Sequence, residues 1–178
     1  MTHPLVDQLR FARSEFRRGL EGLNDEDART RILPMNCISW NIGHLAAHEQ
    51  RYWVRDTMGG ILLPDVDRAF SYGAPASSPP LTEVWHAWET ITRAADPWLA
   101  TVTTDTLLAE TIRDGQPTGF TVGSRLLRTI YHYWYHTGEN AAIRQSLGHI
   151  NLPDFVGNIE DQAPFREAGV VSRDSERR

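Results

Sequence analysis

Apolar residues recur three and four positions apart in four stretches of this chain, and each stretch predicts an amphipathic helix. In the first, Leu5, Leu9, Phe16 and Leu20 share one side. Pro4 suits the opening turn, where a missing N–H costs nothing, so the helix is expected over residues 4–20. Gly22 to Asn24 break it, and DEDARTRIL adds a short helical turn before Pro34. In the second stretch Ile38, Ile42, Leu45, His48, Glu49 and Tyr52 fall along one side. Asn36 is its expected N-cap, the helix runs to Asp56, and Gly59-Gly60 ends it. The third carries Trp85, Trp88, Ile91, Ala95 and Leu99, from an N-cap at Thr82 to Thr101. The fourth, residues 122–147, is the longest; at 1.5 Å per residue it spans roughly 39 Å, and Gly148 is placed for a left-handed C-terminal cap.

Two connections separate these helices. Residues 60–80 are rich in proline and glycine and have no clear period, and residues 103–120 are expected to be irregular. Both exceed the usual two to eight residues of a simple up-down bundle. Four long helices with few strand signals predict an all-α fold, an antiparallel four-helix bundle over residues 1–150. NLPDFVGNIEDQAPF is too apolar for an idle tail. A C-terminal extension over residues 151–178 is therefore expected to pack on the bundle or on a partner subunit, with the final SRDSERR disordered.

Composition narrows the functional classes. A hydrophobic share of 40% and a charged share of 23% describe one ordinary globular domain, large enough to bury a core without staples. A formal charge of -5 argues against a nucleic-acid partner. Every basic residue is arginine, and Arg10, Arg13, Arg17 and Arg18, interleaved with Asp7, Glu15 and Glu21, read as a solvated face of the first helix. No apolar run approaches the ~20 residues of a membrane span, and the start of the chain lacks a signal-peptide core. The single cysteine, Cys37, cannot form an internal disulfide and fits a cytoplasmic protein. A cysteine near a helix start can have a lowered thiol pKa, but a small buried residue is the preferred reading of Cys37.

The candidate chemistry lies in the histidines. In YHYWYHTGENAAIRQ, His132 and His136 stand four apart and so project from one helix face. Two imidazoles at that spacing can share a cation, as in H-E-x-x-H, but Tyr133-Trp134 replaces the glutamate step and excludes a thermolysin-like peptidase. Glu139, two turns after His132, shares the face. It is a candidate ligand, acceptor for an imidazole N–H, or general base, and is the candidate catalytic residue; the competing reading is a rim salt bridge to Arg128. IGHLAAHEQRYW offers a second pair, His44 and His48, on another helix. Spacing leaves two readings open, a metal held between the helices or core histidines with hydrogen-bond partners. Glu83 and His86 match the E-x-x-H of di-iron bundles, which need two such motifs and two further glutamates; the chain has only one motif. His149 is expected to meet the dipole at the end of the fourth helix, and His3 is terminal.

Together, NCISWNIGHLAAHEQRYW and TIYHYWYHTGENAAIRQSLGH resemble the DinB-like superfamily, which includes mycothiol- and bacillithiol-dependent enzymes; the similarity spans roughly residues 4–150. The resemblance implies an up-down-down-up bundle with a long crossover connection, expected to form a homodimer. It implies a divalent metal (zinc, nickel or iron) held by His44, His132 and His136, with an open position as catalytic sites keep, His48 nearby and Glu139 at the motif's Glu/Gln position. The implied activity is that of a thiol S-transferase or isomerase acting on a small-molecule substrate. A low-molecular-weight thiol such as mycothiol or bacillithiol is the implied cofactor, and Arg128 and Arg144 are candidates to hold a carboxylate of thiol or substrate. The alternative is a non-enzymatic, stress-related dimer that holds a metal or small ligand.

Overall fold

Pro4 opens α1 (Pro4–Arg18), and the His3 Nδ1 accepts the Leu5 N–H at 3.1 Å, satisfying one of the free donors of the first turn. A computed structural model describes residues 2–113, 115–154 and 156–168, which are mostly helical with one two-stranded sheet. After α2 (Asp25–Arg29), α3 (Ile38–Glu49) starts one residue later than expected, with Cys37 rather than Asn36 at the N-cap and no side-chain cap bond. Cys37 is fully buried. Beyond Glu49 the chain widens into a π-helical turn, Gln50–Arg55, before α4 (Asp56–Met58) ends at Gly59, whose φ is 74°. Gln50 supplies a reason for the widening. Its buried amide holds the following connection, accepting the Leu62 and Leu63 N–H groups at 3.1 and 2.8 Å and donating to Asp67 at 3.0 Å.

Both connections contain structure that the apolar period did not reveal. Pro64 opens α5 (Pro64–Phe70), whose Val66 and Phe70 are buried. The helix is too short to show a repeat. α6 (Leu81–Leu99) begins with Pro80 at its N-cap rather than Thr82, and the Leu81 N–H is taken by Asp25 Oδ1 at 2.7 Å. Residues 103–120 are not irregular: α7 (Thr104–Leu108), closed by a Thr103/Thr106 capping box, leads to an antiparallel hairpin of β1 (Glu110–Arg113) and β2 (Gln116–Thr121). Among the described residues of this hairpin only Thr111 is buried, so its strands carry no legible alternation. Thr121 caps α8 (Val122–Ser146), Gly148 sits at φ 84° beyond its end as expected, and α9 (Ile159–Gln162) follows.

The four long helices, α1, α3, α6 and α8, close around one apolar core that includes Leu9, Phe16, Ile42, Leu45, Trp53, Ile91, Leu99 and Leu126. Asn41 meets Asn140 near the start of α3 and the end of α8, whereas Tyr52 meets Arg125 at the opposite ends. α3 and α8 therefore run in opposite directions. Trp53 stacks on Trp98 where α3 and α6 finish, and Cys37 Sγ lies 3.3 Å from the Ser77 carbonyl near where both begin.

A polar network crosses this core. Arg13 grips the fully buried Glu49 through Nε and Nη2 at 2.7 and 2.5 Å and reaches Asp96 at 2.8 Å; the Tyr133 hydroxyl donates to Glu49 at 2.7 Å, and Trp88 Nε1 donates to Tyr133 at 2.7 Å. The bonds link all four long helices. They also correct the reading of α1 as carrying a solvated basic face, because Arg13 and Glu15 are buried while Arg17 is exposed.

The C-terminal extension lies on α1 of the same chain. Gln8 donates to the Ala163 carbonyl at 2.5 Å, Glu15 accepts the Gly157 N–H at 2.6 Å, and Arg18 donates to the Asp154 carbonyl at 2.7 Å. The SRDSERR segment lies outside the described residues. Among the described residues no helix is long and apolar enough to cross a membrane.

Candidate metal centre

Opposed running of α3 and α8 brings their histidine pairs face to face. His44, His132 and His136 each place a ring nitrogen within 4.8 Å of the others. Of the sequence candidates, these three converge. The rings of His44 and His132 lie 4.9 Å apart, and His132 Nε2 is 3.0 Å from His136 Nε2.

The far side of two rings is fixed by protein. A backbone carbonyl can only accept, so the 2.6 Å contact between His44 Nδ1 and the Phe70 carbonyl requires Nδ1–H and leaves the Nε2 lone pair free. Glu139 Oε2 lies 2.7 Å from His136 Nδ1 and accepts Asn41 Nδ2 at 2.9 Å, which orients His136 in the same way. His44 is also stacked on Trp40 at 4.9 Å and 14°. Phe70 comes from α5, so the overlooked helix supplies a support for the first histidine. Gly43 makes that approach possible: a Cβ there would meet the Phe70 ring at 2.8 Å.

The electrostatics favour the neutral form of His132 and His44. Burial, with the neighbouring His136 and His44 rings, pushes the His132 pKa down to about 3, and burial likewise lowers that of His44. A neutral ring offers the lone pair that a metal needs. His48 lies beside the cluster, its ring 4.5 Å from His132 and 4.3 Å from Tyr52, and burial holds its pKa well below the usual value. Among the described residues the Nδ1 atoms of His48 and His132 are both buried without a hydrogen-bond partner.

These residues fit a divalent cation. The donor set is three imidazoles, with two outer nitrogens already engaged as metal-binding histidines typically are. Nitrogens on one tetrahedral zinc at ~2.0–2.1 Å stand roughly 3.4 Å apart, and the three ring nitrogens already lie within 4.8 Å of one another.

An open cleft of about 430 Å³ adjoins His44, His48 and His132, and Arg51, Tyr52, Tyr72, Arg128 and Tyr131 form its walls. A larger cavity, about 740 Å³, lies between α1, α8 and the C-terminal extension. Among the described residues no ionisable side chain lines that cavity, so chemistry rather than volume locates the site.

Other candidates lie elsewhere. Arg144 is buried at the end of α8, donating to the Gly19 carbonyl at 2.5 Å and to His149 Nδ1 at 3.1 Å. His149 Nε2 is 3.1 Å from Asp27, so the His149 ring bridges the end of α8 to α2. Glu83 and His86 are both exposed on α6. Residues that sequence reasoning passed over include Arg51, Phe70 and Asn41. Helical phase alone marks Asn41 and Arg51, three before His44 and three after His48, but nothing local marks Phe70.

Helices converging three imidazoles beside an open cleft define a helical protein with a candidate metal site. A family model described as mycothiol-S-transferase matches residues 4–148, and the chain belongs to that family, within the DinB-like superfamily. No curated protein matches the chain.

Proposed function

We propose that this protein is a metal-dependent thiol S-transferase that joins a low-molecular-weight thiol of the mycothiol type to an electrophilic small molecule. The convergence of His44, His132 and His136 beside an open cleft carries the reading, and family membership supplies the thiol. The scaffold we infer is an up-down-down-up four-helix bundle, supported by opposed α3 and α8 and by α3 and α6 starting and finishing together.

His44, His132 and His136 would hold the cation, and a bound cation lowers a thiol's pKa so that sulfur is presented as thiolate at neutral pH. The remaining work belongs to the chain. The Phe70 carbonyl and Glu139 hold His44 and His136 in one tautomer, with Asn41 steadying Glu139. Among the three roles that the sequence leaves to Glu139, this geometry favours the orienting one. The tyrosines and arginines of the cleft position the electrophile, with Arg128 kept as a binding residue and Arg51 added beside it. Arg144 is assigned to closing the end of α8.

The test is turnover of mycothiol with a neutral electrophile such as monochlorobimane by metal-reconstituted protein, chelated protein and His132→Ala. Conjugation only by the reconstituted wild type supports the reading. Equal rates in all three, or none in any, contradict it and leave the non-enzymatic binding protein. The proposal includes a homodimer, for which a monomeric mass by light scattering would be the contrary result.

A further inference from the structure

The cleft beside the histidines is far more basic than the chain that forms it. Arg51 and Arg128 line it, and both also border an adjoining hollow of about 280 Å³ that adds Arg113, Arg125, Phe120 and Ser124. Among the described residues neither space has an aspartate or glutamate in its lining, although the formal charge of the whole chain is -5. Behind them the buried Asp56 carboxylate is shared, at 2.6 Å from Arg113 Nη2, 3.2 Å from Arg125 Nη1 and 3.5 Å from Arg55 Nε.

That leaves Arg51 and Arg128 without a carboxylate within salt-bridge distance among the described residues. Arg51 donates to the Ser71 hydroxyl at 2.9 Å, and Arg128 lies 5.9 Å from the Phe120 ring centre. Both charges act on the site: each helps depress the His48 pKa, after burial and the neighbouring imidazoles. Two tyrosines at the mouth, Tyr72 and Tyr131, keep 93% and 65% of their surface exposed.

We propose that the electrophile taken by this site is a flat molecule bearing a carboxylate, with the carboxylate on Arg51 and Arg128 and the unsaturated body between the tyrosines. The inference rests on the transferase reading and names its substrate class. Guanidinium groups present paired donors that match a carboxylate, and a cleft lined by one sign of charge concentrates anions. Two guanidinium groups beside the imidazoles, neither paired with a carboxylate among the described residues, bind the charged end of the substrate and leave its carbon facing the cluster.

Calorimetry on the metal-reconstituted protein without thiol separates the possibilities, using 3,5-dinitrobenzoate and its methyl ester as probes. The acid is expected to bind at least about tenfold more tightly, consistent with the strength of charge-assisted hydrogen bonds. Arg51→Gln and Arg128→Gln should each remove most of that preference, weakening the acid far more than the ester. Equal binding of acid and ester overturns the proposal and returns the arginines to the thiol. A preference that survives both substitutions but vanishes in His132→Ala also overturns it, placing the carboxylate on the metal. The turnover arm uses 4-chloro-3,5-dinitrobenzoate and its methyl ester with mycothiol: a C–S bond forms, the C–Cl bond breaks, chloride leaves and the thiol proton passes to solvent. Arg51→Gln should raise KM for the acid by a larger factor than it lowers kcat. Selective binding without turnover of either compound counts against the transferase reading while upholding the anion preference.

Discussion

Glu49 and Tyr133 are the chain neighbours of His48 and His132, yet helical rotation sends one pair into the interior and leaves the other at the cleft. In the interior, Glu49 Oε1 takes Arg13 Nε and the Tyr133 hydroxyl, Glu49 Oε2 takes Arg13 Nη2, and Trp88 donates to Tyr133. At the cleft, His48 Nδ1 and His132 Nδ1 have no partner, and the inner nitrogens of the ligand trio face one another. Both clusters are polar and largely buried. A matched network fixes one arrangement of helices, whereas buried nitrogens unmatched by protein cost stability that a bound ligand offsets. The inner network thus gives the outer cluster a rigid floor.

Breaking the floor should have the largest effect. Glu49→Ala strands the Arg13 guanidinium in the core and is expected to cost about 3–5 kcal/mol in urea-induced unfolding. A loss below about 1 kcal/mol would mean that the network is incidental. Gly43→Ala drives a methyl group into the Phe70 ring and should cost about 1–3 kcal/mol while also loosening the carbonyl that holds His44. Unchanged stability and unchanged metal affinity would show that α5 shifts freely.

Glu139→Ala acts through one ring only. Metal affinity should fall about 10–100-fold with stability nearly unchanged, and Glu139→Gln should retain most of the affinity because an amide oxygen still accepts from His136. A kcat loss in Glu139→Gln at full metal occupancy would instead favour the general-base role. The smallest effect sharpens the comparison: with chelator present, His132→Ala should lie within about 1 kcal/mol of wild type, since it removes a buried nitrogen that nothing satisfies. A loss as large as that of Glu49→Ala would erase the distinction between the two clusters.

The cleft side of this comparison was the legible one. His132 and His136 share a helix face by spacing alone, as do His44 and His48, so local periodicity brings out all four rings. The interior side depends on residues far apart in sequence: Arg13 is 36 positions from Glu49, and Tyr133 is 84. Arg13 reads like its neighbours Arg10 and Arg17 until the fold buries it. The long helices followed from their apolar repeat, but α5, α7 and the hairpin are each too short to carry one. The π-helical turn depends on what Gln50 finds across the following loop, which no window of sequence contains. Arg128 and Arg144 looked equivalent in the chain, and only tertiary structure separates them, one at the cleft and the other on the Gly19 carbonyl.

The most direct test is the metal content of protein purified without a histidine tag, by elemental mass spectrometry, for wild type and His132→Ala. The account predicts about one equivalent of zinc, nickel or iron in the wild type and a trace in the variant, with helical circular dichroism preserved in both. A wild type that stays metal-free after reconstitution with each of the three would contradict it, leaving one buried and three half-buried histidines beside a basic cleft with no cation to organise them.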